Sequence, residues 1–150
     1  MMGATMFKNI LVAVDGSQGA QKALNVAVGL QSSCSADLLI LTVYRHHSLL
    51  EASMSMVRPD DPSPPDESMR DYAKDIAEQA KEFARQAGTE TVRAFVKVGQ
   101  PARTIVKFAE EHDVDVIVVG SRGLGDVEGF LLGSVSHKIT SLADCPVLVV

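Results

Sequence analysis

The sequence predicts an α/β protein, a doubly wound sandwich in which a single parallel sheet is covered by helices on both faces. Two observations carry this expectation. Short β-branched and aliphatic runs without polar alternation recur between Ile10 and Val150, the pattern of strands buried on both sides. Between successive runs, apolar residues return at three-and-four spacing, so each strand leads into an amphipathic helix and the connections become right-handed crossovers. At 150 residues and 46% hydrophobic content the chain matches one domain, 1–150, able to bury about 70% of its unfolded surface.

The first strand is Ile10-Leu-Val-Ala-Val14, ending in the tight turn Asp15-Gly16-Ser17. Ser17 reads as the cap of a helix whose buried face is Ala20, Ala23, Leu24, Ala27 and Val28, running to about Ser33. A second strand covers Leu38 to Val43. The pattern then dissolves over residues 44–67, where His46, His47, Met54, Met56 and Pro59, Pro62, Pro64 and Pro65 mark a long mobile insertion. Helical spacing resumes at Tyr72, Ile76, Ala77, Ala80, Phe83, Ala84 and Ala87, and Gly88 supplies a left-handed stop.

Thr91 to Val98 forms the third strand. Pro101 suits a first helical turn, with Ala102, Ile105, Val106 and Ala109 as the apolar stripe of the third helix. Val114 to Val119 is the fourth strand. Val135, Ile139 and Leu142 mark one face of a short fourth helix, and Pro146 to Val150 closes the sheet. In doubly wound sheets ligands collect beyond the carboxyl ends of the strands where the winding reverses, so Asp15 and Gly120 are expected to face one cleft.

Composition narrows the function. A net charge of -5, without clustered Lys and Arg, argues against binding nucleic acid or an anionic membrane surface. Cys34 and Cys145 are far apart with no CxxC spacing, and read as ordinary buried thiols. Met1 to Lys8 lacks the basic start and apolar stretch of an export signal, and no run reaches membrane-spanning length, which makes the cytoplasm the expected location and membrane insertion unexpected.

Between the fourth strand and the fourth helix stands Gly120-Ser121-Arg122-Gly123, then nine residues, then Gly133-Ser134. Glycine lets bare backbone N-H groups approach a ligand, and a helix start attracts anions. No GxxxxGK[ST] occurs, and DGSxG rather than GxGxxG follows the first strand, which excludes a P-loop NTPase and a Rossmann dehydrogenase. The spacing Gly-x2-Gly-x9-Gly-Ser resembles the ATP-binding pattern of the universal stress protein family. So do the blocks ILVAVDGS, LLILTVY, VKVGQPARTIVKFAEEHDVDVIVVGSRG and LLGSVSHKITSLADCPVLVV.

That resemblance implies a five-stranded parallel sheet in the order 3-2-1-4-5, with the Rossmann-like fold of the adenine nucleotide α-hydrolase type, an ATP site, and dimers built through the last strand. It implies that Asp15 meets the ribose or adenine edge and that the backbone of Val43 meets the adenine. Gly120, Ser121, Gly123, Gly133 and Ser134 would surround the phosphates, with Arg122 and Lys138 able to add charge. ATP, or ADP or AMP, is the expected ligand, travelling with Mg2+ or Mn2+.

Plainer roles stand beside these. Asp15 could simply cap the turn that follows it. His46 and His47 are adjacent on a loop and complete no metal site, so no metal is assigned to the protein's own side chains. His112 suits a helix C-terminus, and His137 a surface. Met54, Met56 and Met69 read as loop filler rather than as an adaptable partner surface. The uncharged last strand lacks edge protection, and two copies paired across a two-fold axis would hide both edges, predicting a homodimer through 146–150.

The expected function is regulation by occupancy: bound nucleotide alters the surface offered to a protein partner. An enzyme alternative is a slow ATPase or self-phosphorylating protein in which Asp15, Asp126 or Glu128 assists, although the usual cations of phosphoryl transfer are missing and no catalytic residue is assigned. A third reading is a structural dimer with an empty cleft.

Overall fold

The computed structural model describes residues 6–45, 65–122 and 133–150. In chain order the elements are β1 (Asn9–Ala13), α1 (Gln18–Cys34), β2 (Asp37–Tyr44), α2 (Pro65–Gln86), β3 (Val92–Val98), α3 (Pro101–Glu111), β4 (Val116–Val119), α4 (Ser134–Leu142) and β5 (Val147–Val149). The sheet is parallel, in the order β3-β2-β1-β4-β5. Winding therefore reverses at β1, between β2 and β4.

Burial on both faces explains the unbroken apolar runs. Along β1, Ile10 and Val12 enter the core beneath α1 and α2, while Leu11 enters the core beneath α3 and α4. Leu38 and Ile40 alternate in the same way with Leu39 and Leu41 on β2, and Val116 and Val118 with Ile117 and Val119 on β4. Every residue of that set lies below one-tenth exposure. Each buried aliphatic side chain contributes roughly 1.5–3 kcal/mol relative to its exposed state, so the central strands dominate the cohesion of the sheet.

Local caps set the helix ends. The Ser17 hydroxyl accepts from the Ala20 N-H at 3.1 Å, as expected, and α1 ends at Ser35 in the left-handed region (φ 52°). Gly88, with φ +101°, stops α2. Pro101 stands in the first turn of α3, where the Gln100 side chain accepts from the Arg103 N-H at 2.9 Å. His112 closes α3 with its Nδ1 2.9 Å from the Phe108 carbonyl oxygen and its ring stacked on Phe108 at 3.8 Å.

The structure amends several expectations. The buried stripe of α2 is Ala73, Ala77, Ala80 and Ala84, with Ile76 half-buried; Tyr72 is 63% exposed and Phe83 38%, because only alanine-sized side chains let this helix lie close on the sheet. The helix also begins earlier than Tyr72, at Pro65, which a first helical turn accepts. The insertion is thus narrower than 44–67 at both ends, since Tyr44 still belongs to β2; residues 46–64, with His46, His47, Met54 and Met56, lie outside the described residues.

Leu142, the last residue of the nine-residue α4, is 47% exposed rather than buried. β4 starts at Val116, since the preceding Val114 N-H bonds back to Ala109 and Asp115 turns its carboxylate to the Lys8 and Asn9 N-H groups at 2.7 and 2.9 Å. The two thiols are half-exposed rather than buried: Cys34 and Cys145 sit at the margins of opposite cores. Partial burial raises the Cys145 thiol above its ordinary range, and the carboxylates of Asp115, Asp144 and Glu110 push in the same direction.

Candidate functional site

At the carboxyl ends of β1, β2 and β4 the molecule holds a cleft of about 400 Å³, within the usual size of small-molecule sites. Its position follows from topology. The strands flanking the reversal send their connections to opposite faces, so the segments after β1 and β4 diverge and leave a crevice.

Asp15, Val43, Gly120, Arg122 and Ser134 all line this cleft. Asp15 is held by its own turn: its Oδ1 accepts from the Ser17 N-H at 2.9 Å, so the carboxylate orients the start of α1 while remaining half-exposed. The turn hydrogen bond and a place on the cleft wall therefore coexist in this one residue. The positive φ of Gly16, +87°, turns the chain there, and a Cβ at that position would come within 3.3 Å of Ile76 Cδ1, which brings α2 over the turn.

Gly120 is required by close approach. A Cβ built on it would lie 2.7 Å from both the carbonyl carbon and oxygen of Gly19, so the first turn of α1 packs backbone to backbone on the exit of β4. Gly19 reciprocates: a Cβ there would run into the Arg122 carbonyl oxygen. The last glycine of DGSxG thus serves packing at the switch point.

Ser121 and Gly133 form a frame instead of lining the cleft directly. The Ser121 N-H donates to the Val150 carbonyl at 2.7 Å, and its carbonyl accepts from the Gly133 N-H. The Ser136 hydroxyl, 2% exposed, reaches the carbonyl oxygens of Ser121 at 3.2 Å and Gly133 at 3.0 Å. With the amides of Ser121 and Gly133 engaged, the donors offered to an anion are the first-turn N-H groups of α4, which begins at Ser134 and has no side-chain cap on Gly133. Arg122 adds an exposed cation at the rim; Lys138 and His137 point to solvent and do not line the cleft. Gly123, Asp126 and Glu128 lie outside the described residues.

Sequence reasoning missed most of the walls. Pro101 and Ile105 of α3 close one side, and Met69, Tyr72, Ala73 and Ile76 of α2 the other, so Met69 belongs to a helix and not to a loop. Ser136 was equally invisible, because a serine inside a helix carries no mark of the two carbonyls it meets. Among the described residues no cluster of His, Cys, Asp or Glu could hold a metal ion. None of their helices is long and apolar enough to cross a membrane.

Comparison with known proteins agrees with this architecture. The family model described as "Universal stress protein family" matches residues 6–150. Universal stress protein YxiE of Bacillus subtilis is 39% identical over 148 residues, covering 97% of this chain and 99% of its own length. The structure of universal stress protein UspA from Lactobacillus plantarum superposes with a TM-score of 0.79 at 28% identity, over 95% of this chain and 97% of that one. A universal stress protein crystallised in complex with cAMP gives a TM-score of 0.74 at 26% identity, covering 97% of each chain.

Proposed function

Because the chain belongs to the universal stress protein family, we propose that its cleft binds an adenine nucleotide and that occupancy regulates what the protein offers to a partner. The observation that carries this reading is the meeting, in one cleft, of the α4 helix start, the Gly120 approach and the Asp15 carboxylate. The cAMP complex of a similar protein supports the choice of an adenine ligand.

In this reading the base lies against the end of β2, where the Val43 backbone offers fixed donors and acceptors, and Asp15 takes the ribose or the adenine edge. The phosphates turn toward Ser134 and the first amides of α4, with Arg122 and Gly123 completing the surround. ATP, ADP and AMP share these contacts. A Mg2+ or Mn2+ ion would arrive with the phosphates.

The homodimer is part of the same proposal. β5 is an edge strand, with Leu148 38% exposed and Val147 and Val149 half-buried, and isologous pairing would cover all three. A cytoplasmic setting fits such a regulator.

Thermal unfolding with added ATP or AMP tests the central claim. Ligand confined to the folded state should stabilise it by about 2.7 kcal/mol at one hundred times Kd. A melting temperature indifferent to both nucleotides at millimolar concentration refutes the reading. Light scattering tests the dimer, which a monomeric mass at micromolar concentration would exclude.

A further inference from the structure

Thr42 carries the one side-chain polar atom among the described residues that is fully buried and has no hydrogen-bond partner. The residue is 3% exposed, lies next to Val43 at the end of β2, and lines the cleft. Its side of the sheet follows from strand alternation. Ile40 packs beneath α1 and α2, whereas Leu41 and Val43 pack toward α3 and α4, so Thr42 faces α1 and α2.

On that side the cleft walls include Val14, Ala20, Ala73 and Ile76, whose side chains offer no hydrogen-bonding group; the Ser17 hydroxyl there is engaged by the Ala20 N-H, Tyr72 is 63% exposed, and neither bonds Thr42. An orphaned buried hydroxyl is destabilising, and in native proteins such a group commonly marks a ligand or water position. A valine would fill the same volume without that penalty, so the hydroxyl is expected to find its partner in whatever occupies this side of the cleft.

We propose that Thr42 is a ligand-contacting residue, its hydroxyl bonding the nucleoside part of the bound nucleotide on the α1/α2 side of the β2 end. This rests on the adenine-nucleotide reading above and adds to it a second face of contact. The phosphate-holding start of α4 packs on the other face of the sheet, which leaves base or ribose for Thr42. A hydroxyl both donates and accepts, so a purine ring nitrogen or a sugar hydroxyl suits it equally. The oxygen is sealed from solvent, so contact with a ligand calls for a rotamer step about χ1.

The near-isosteric variant Thr42→Val tests this through two readouts of opposite sign. The ligand-free protein should melt about 2–4 °C higher, because the orphan is gone. Affinity for ATP and for adenosine, by titration calorimetry, should each fall about five- to tenfold, with Thr42→Ser close to wild type. Free adenine then separates the two partners: a penalty that persists assigns the base, and one that vanishes assigns the ribose. Unchanged affinity in Thr42→Val overturns the proposal, as does a loss confined to ATP. A lowered melting temperature also overturns it, by showing that the hydroxyl already had a partner. Wild-type protein that binds no nucleotide would instead defeat the reading on which this one rests.

Discussion

An alanine at Gly120 would place its Cβ 2.7 Å from the carbonyl carbon and oxygen of Gly19, where ordinary contact begins at 3.4 Å. The neighbour is backbone at the first turn of α1, so no rotamer change relieves the contact and the two segments must part by about 0.7 Å. Overpacking of this kind costs roughly 1–3 kcal/mol, or about 3–10 °C in melting temperature for a chain of this size. The same shift separates the turn after β1 from the exit of β4, and binding constellations tolerate only about 0.5 Å, so ATP affinity should fall at least about tenfold. Differential scanning calorimetry and titration calorimetry on Gly120→Ala measure the two effects together. Wild-type stability with wild-type affinity would refute the backbone contact and the placement of the site beside it.

Gly29→Ala is the matched control: apart from its chain neighbours and the surrounding backbone of α1, no atom lies within 4 Å of its Cβ position, and helix propensity should add about 0.5–1 kcal/mol of stability in urea unfolding. Ser136→Ala deletes the hydroxyl shared between the Ser121 and Gly133 carbonyls, and should cost about 1–2 kcal/mol in the same assay while weakening ATP more than adenosine. For Cys145, whose thiol is raised mainly by burial, alkylation by iodoacetamide at mildly alkaline pH should be slower than for free cysteine and should catch up only as the pH is raised further. A folded-state pKa raised in this way contributes stability that is complete below the unfolded value and is lost as pH climbs through the folded one, so denaturant midpoints should drift down in that alkaline range.

The sheet and its helices were legible in the chain because their causes are local. Runs such as Leu38–Leu41 are apolar at every position only when both faces are covered, and Ser17, Gly88 and Pro101 act on their own helix termini. The strand order came from the resemblance rather than from periodicity, which does not report which strands are neighbours. The composition of α2 misled for a related reason: its spacing admits either Tyr72 or Ala73 to the buried stripe, and only the distance between helix and sheet selects alanine.

By itself the sequence determined the alternation of strands and helices, the turn at Asp15-Gly16-Ser17, and a glycine segment poised before a helix start. These depend on residues within a turn or two of one another. Tertiary structure decided what faces what: the Gly19 and Gly120 backbones in contact, the Ser136 hydroxyl between two carbonyls fifteen and three positions away, and the Thr42 hydroxyl without a partner in an apolar pocket wall. Such features arise from close packing between segments distant in the chain, and a side chain's hydrogen-bond ledger closes only when every neighbour has been placed.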